Sequence, residues 1–160
     1  MLQTWFRKAA PLALAAAAGA ASAAGSVDVR FIDAARFSDA GFGEREIAHT
    51  TDTLGQYLQT LGKRLPDGQK LQVEVLDVDL AGWVRPTSRL NVRVLNGRAD
   101  WPQIRLRYTL LADGRTLQAG EDRVSDMSYL WPGGKFADSG ELYYERRMLG
   151  RWFNEHFAAP

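Results

Sequence analysis

The chain has no cysteine, and only two histidines, His49 and His156, among its 160 residues. The missing thiols exclude cysteine catalysis, disulfides and a lipid-modified cysteine together, so the fold must hold by packing alone. The two histidines stand at no HxH or HxxxH spacing, which removes the usual paired-histidine zinc site. Both are expected on the solvated side of a helix. The serines enter no G-x-S-x-G elbow, and the glycines form neither a phosphate loop nor a dinucleotide fingerprint. Net charge is nearly absent too, at +1. Without Arg7 and Lys8 the remainder is near neutral on the acidic side, so charge supplies no case for nucleic acid.

No apolar run reaches the ~20 residues of a membrane span. The nearest is PLALAAAAGAASAA, residues 11–24, which follows the basic Arg7-Lys8 pair and contains the small-residue pattern Ala21-Ser22-Ala23. This combination predicts a signal peptide over residues 1–23, cleaved near Ala23, followed by one domain over 24–160. The expected location is the periplasm or the exterior, and the chain is not expected to be an integral membrane protein. A domain of this size buries roughly two thirds of its unfolded surface.

What is present is patterned. Ser26 to Asp33 alternates Val27, Val29 and Phe31 against Asp28, Arg30 and Ile32, as in a half-buried strand. Ala34 to Gly43 reads as loop. From Glu44 the period becomes helical: Ile47, Thr51, Leu54, Leu58, Leu61 and Leu65 share one stripe, with Glu44 and Glu46 at the start and Lys63, Arg64 and Pro66 at the end. Further β-runs follow at Leu71 to Leu80, Arg89 to Leu95, Ile104 to Leu110 and Thr116 to Val124, the last two joined by an Asp113-Gly114 turn. Leu142 to Phe157 places Leu142, Leu149, Trp152, Phe153 and Phe157 on a second helical stripe. The order β-α-β-β-β-β-α implies an α+β fold. It would have two layers: a four- to five-stranded, mostly antiparallel or mixed sheet, with two amphipathic helices on one face. The other face must be polar or covered by another molecule.

The stretch LQVEVLDVDLAG, residues 71–82, breaks its own alternation. In an unbroken strand Asp77 and Asp79 would share the inward face of Leu71, Val73 and Val75, where unpaired carboxylates are costly. One β-bulge near Val75-Leu76 removes the conflict. It sends the aspartates outward and lets Leu76, Val78 and Leu80 take over the core. Two carboxylates at this spacing also suit a hard cation, with Asp126 as a possible third ligand, although no Gly-punctuated acidic loop follows. Caps and salt bridges are the plainer use for them.

Trp83, Trp101 and Trp131 fall in or beside turns, two of them directly before proline. They suit either a platform for sugars or peptides or, more commonly, lids over the open ends of a small core. Arg89, Arg93, Arg105 and Arg107 alternate with apolar residues, as on the solvent face of a sheet. Such a row also fits an anionic partner.

LPDGQ, DVDLAG, the WP-x-I-x-L-x-Y run from Trp101 to Tyr108, SDM at Ser125 to Met127, and YERRMLGRWF from Tyr144 to Phe153 together resemble the bacterial family catalogued as domain of unknown function 3016. The early VRFID…RF-x-D pattern, Val29 to Asp39, fits it as well. One departure is WPGGKFADSG before the last helix, where the family commonly has a longer charged stretch. The resemblance implies an exported protein of Gram-negative bacteria, with no assigned catalytic residue, cofactor or partner. The leading expectation is therefore a non-enzymatic module meeting an envelope protein or a cell-wall polymer through its open sheet face, an edge strand or the tryptophan loops. A divalent-cation-dependent hydrolase or cation-binding protein using Asp77 and Asp79 is the alternative, and a glycan-binding module a third. The oligomeric state stays open.

Overall fold

The computed structural model describes residues 24–87, 91–130 and 140–157. The expected signal segment, Arg89 and Trp131 lie outside these residues. No described helix is long and apolar enough to cross a membrane.

Strand β1 (Ser26–Phe31) leads through helix α1 (Glu44–Leu61) into β2 (Gln69–Asp79). Two short strands follow, β3 (Trp83–Pro86) and β4 (Asn91–Val94), then the long hairpin of β5 (Gln103–Ala112) and β6 (Arg115–Ser125), and last α2 (Tyr143–Phe157). The main sheet has the order β1-β2-β5-β6; β1 and β2 are parallel and the other pairs antiparallel. The fold is α+β with a mixed four-stranded sheet, as the element order implied. One strand was not legible: Trp83–Pro86, read as turn, pairs with β4 in a separate two-stranded ribbon. A Pro-ended run of four residues carries too little alternation to be seen.

Local chemistry explains the boundaries. At the start of α1, Glu46 reaches back past the N-cap, Gly43, to accept the Phe42 N–H at 2.7 Å. The helix runs into a short 3-10 turn at Gly62–Arg64, and Pro66 prevents its continuation. Asp113 (φ 50°) and Gly114 (φ 74°) are both left-handed, the pattern of a two-residue hairpin turn.

One face of the sheet carries the core. Leu71, Val73, Val75 and Val78 of β2 and Ile104, Leu106, Tyr108 and Leu110 of β5 form its floor. Leu54, Leu58 and Leu61 from α1 cover it, with Met148, Leu149, Trp152, Phe153 and Phe157 from α2. Side chains of this size contribute about 1.5 to 3 kcal/mol each on full burial, which fixes both helices to the same side. Thr50, not Thr51, is the buried threonine of α1; Thr51 instead bonds back to the Ala48 carbonyl.

The opposite face is polar and uncovered by any described element. Across it run Asp28 and Arg30 of β1, Lys70, Gln72 and Glu74 of β2, Thr109, Arg107 and Arg105 of β5, and Glu121 and Arg123 of β6, following the strand register.

Candidate functional site

The bulge lies where the broken alternation placed it. The β2–β5 register runs Val75↔Leu106 and then Asp77↔Arg105, so Leu76 is the extra residue. Val78 and Leu80 join the core, whereas Leu76, expected with them, is only half-buried because the bulge leaves it unpaired. The inner face keeps its hydrophobic row, and Asp77 and Asp79 move to the polar side.

The segment after β1 returns to meet this bulge. Ser38 donates its backbone N–H and its hydroxyl to the two oxygens of Asp77, both at 2.8 Å. Asp39 then pairs with β2 like a strand residue, donating to the Val78 carbonyl at 2.8 Å and accepting from the Leu80 N–H at 3.0 Å. Its carboxylate takes both prongs of Arg93 from β4, at 2.8 and 2.9 Å. Arg93 also donates to the Ala81 carbonyl at 3.3 Å, and buried Glu145 of α2 accepts the Ala81 N–H at 2.9 Å. Gly82 closes the turn at φ 82°, donating to the Asp100 carbonyl at 2.8 Å. DVDLAG is thus the junction at which β2, the β1–α1 loop, the β3–β4 ribbon and α2 are tied together. Arg93, expected on the solvent face with Arg105 and Arg107, turns inward to make it; Arg105 and Arg107 do face solvent.

The electrostatics follow from partial burial. Burial pushes the Glu145 carboxyl above the usual glutamate range, against the Ala81 N–H and the Arg93 charge. Burial opposes the charge on Arg93, but the bond to Asp39 and the nearby acids outweigh it and hold the guanidinium more firmly protonated. Asp79 is raised by burial first, then by Asp39 and Asp77, with Arg93 opposing. Among the described residues its carboxylate accepts no hydrogen bond and joins no ion pair, the one carboxylate of the motif left so.

Asp77 and Asp79 border a pocket on the open face, completed by Ser38, Gln103, Arg105 and Arg123. Arg105 and Arg123 sit directly across β5 and β6 from each other. Arg105 reaches only Glu121, at 3.5 Å, and Arg123 has no partner among the described residues. A second hollow lies along the same face beside Arg30, Glu74 and Arg107.

Asp126 stands elsewhere. It is buried, and one of its oxygens takes Arg147 at 2.8 Å and Arg151 at 2.7 Å. Arg147 also donates to the carbonyl of buried Tyr129, whose hydroxyl accepts the Gly97 N–H. Burial pushes that phenol up to about 12, against the Gly97 bond and with the Asp100 carboxylate. No group of three or more potential metal ligands gathers among the described residues.

Trp83 is exposed on β3, and Trp101 is half-buried before β5. The Gly82–Asp100 hydrogen bond brings their two segments alongside each other. His156 is exposed, as expected, and its ring also lies against Tyr108, Trp152 and Phe157, with Asp122 at 3.4 Å and the Trp152 carbonyl on Nδ1 at 2.8 Å. Asp122 also accepts the Trp152 indole N–H at 2.8 Å. No spacing rule connects positions 122 and 156; the docking of α2 against β6 does.

A family model spans residues 25–155, nearly all of the described chain. The chain belongs to the family of proteins of unknown function DUF3016. No curated protein and no solved structure matches it. In this DUF3016 chain the motifs that carried the resemblance, DVDLAG and YERRMLGRWF, meet physically, since Ala81 of the first bonds Glu145 of the second. The two motifs form a structural junction in this chain, and the open-face pocket is built against its outer side.

Proposed function

We propose that this protein is an exported, non-catalytic binding domain of the cell envelope, and that the uncovered face of its sheet is the binding surface. Export rests on the leader-like pattern of residues 1–23. The observation that supports the binding surface is the distribution of charge on the polar face. A sheet face that only meets water can pair its charges across strands, at a gain of a few tenths of a kcal/mol each. Arg107 does so, with Glu74 at 3.1 Å and Glu121 at 3.3 Å. Around the bulge the pairing stops: Asp79 and Arg123 are unpartnered among the described residues, and both line one pocket. The partner class that suits mixed charge in a concave site is a cell-wall polymer bearing free amino and carboxyl groups.

The test is sedimentation with purified peptidoglycan. An Arg105→Ser/Arg123→Ser protein is compared with Arg45→Ser/Arg85→Ser, which makes the same charge change away from the face. The proposal expects binding at least tenfold weaker for the first variant and unchanged for the second. Equal retention of both variants, or no sedimentation of the unmodified protein, overturns it. Mass measurement of the mature protein in the periplasmic fraction tests export, with cleavage after Ala23 expected.

A further inference from the structure

We infer that the pocket formed by Ser38, Asp77, Asp79, Gln103, Arg105 and Arg123 is a site for a small zwitterion, an ammonium and a carboxylate joined by a short carbon link, as in a free amino acid. The inference rests on the open face being the binding surface and names the chemical group it takes.

Three relationships carry it. First, the site sets like charges together on both sides. Arg105 and Arg123 are directly opposed cross-strand partners, and like charges so placed repel. Asp77 and Asp79 stand two residues apart on the same side of β2, with Asp39 paired beside Asp79. Secondly, the two sides do not neutralise each other, although the register makes Asp77 and Arg105 direct partners across β2 and β5. Asp77 is turned instead toward Ser38, which occupies both its oxygens. Arg105 is left to a 3.5 Å contact with Glu121. Thirdly, the space between the sides is a hollow open to solvent.

A carboxylate seated between Arg105 and Arg123 relieves the repulsion of the two guanidinium groups, each able to offer a forked pair of donors. An ammonium toward Asp79 supplies a direct partner to a carboxylate that accepts no hydrogen bond and joins no ion pair among the described residues. Gln103, opposite Asp79 in the register, adds an amide with donor and acceptor at the floor. Neither a simple anion nor a simple cation satisfies both ends. An anion alone would meet Asp79, and a cation alone would meet the arginines.

The experiment is an NMR titration of the full mature chain with alanine, trialanine, propionate and ethylamine. Alanine is expected to shift the signals of Asp79, Arg105 and Arg123 saturably. Propionate and ethylamine, with one charge each, and trialanine, whose two charges lie two peptide units apart, should bind at least tenfold more weakly. Asp79→Asn and Arg123→Gln, both at exposed or half-exposed polar positions, should each weaken binding at least tenfold while leaving the amide spectrum of the core unchanged. The inference is overturned if propionate, ethylamine or trialanine binds as well as alanine, or if no ligand moves these residues. Failure here with sedimentation on peptidoglycan intact and arginine-dependent removes only the zwitterion site. Zwitterion binding without sedimentation removes only the polymer reading.

Discussion

Arg93 and Asp39, 54 residues apart in the chain, meet as a two-pronged ion pair with bonds of 2.8 and 2.9 Å. Both side chains are about one quarter exposed, 27% and 23%. Asp39 belongs to the loop after β1 and Arg93 to the β3–β4 ribbon, so the pair fastens a two-stranded ribbon that shares no ladder with the main sheet. A lone two-stranded ribbon is marginal in water, so this pair is one of the attachments that hold it to the rest of the fold.

Arg93→Met removes the attachment and leaves Asp39 without its countercharge beside Asp77, Asp79 and buried Glu145. A cost of about 2 to 3 kcal/mol is expected, below the full value for a deeply buried pair because water reaches this one. Urea unfolding measures the loss. Amide exchange should rise first in Trp83–Pro86 and Asn91–Val94, with the β2–β5 ladder still protected. Uniform loss of protection would mean that the ribbon is not separately held.

Glu145 separates hydrogen bonding from charge. Its folded pKa is raised, chiefly by burial, so the native state takes up a proton before the unfolded chain does. The resulting stabilisation is fully present below the ordinary glutamate range and lost as pH rises through the raised folded value. Glu145→Gln keeps an acceptor for the Ala81 N–H and has nothing to ionise. The unmodified protein should therefore gain stability over this variant on acidification from neutral pH. Glu145→Ala leaves a buried N–H without its acceptor and should cost about 1 to 3 kcal/mol at all pH values. Thermal unfolding of the three proteins from pH 7 to pH 4 tests this; parallel curves for the glutamate and glutamine forms would contradict it.

Two glycines with left-handed backbone should respond differently to alanine. At Gly82, φ 82°, an added Cβ would lie 2.4 Å from the Val94 carbonyl oxygen, with the Leu95 side chain close behind. At Gly114, φ 74°, it would meet nothing within 4 Å. Gly114→Ala should cost only the left-handed strain, about 1 kcal/mol. Gly82→Ala adds a backbone collision and should cost at least ~2 kcal/mol, displacing β4 as well. Chemical denaturation of both variants decides the order, and equal costs would remove the proposed close approach of β4 to the turn.

Much of this architecture is legible in the amino-acid order because it rests on local periodicity. The stripe Leu54, Leu58, Leu61 specifies α1, the stripe Leu149, Trp152, Phe153, Phe157 specifies α2, and Asp113-Gly114 specifies the hairpin of β5 and β6. Even the bulge at Leu76 follows from sequence, since a strand with one hydrophobic face cannot change phase without an extra residue. The ribbon strand at Trp83 was invisible for the same reason in reverse: four residues ending in proline have no phase to read.

What the tertiary structure alone decided is which charges meet. Alternation places Arg93, Arg105 and Arg107 in one class, yet Arg93 pairs inward with Asp39 and the others face solvent, because β4 belongs to a different sheet from β5. Asp77 and Asp79 look equivalent two residues apart. A loop returning from β1 satisfies Asp77 through Ser38 and leaves Asp79 facing the pocket with Arg105 and Arg123. His156 reaches Asp122 only through the docking of α2. Hydrophobic periodicity is a short-range property written along one strand or helix, whereas a charge finds its partner across elements whose order in space the chain does not spell out.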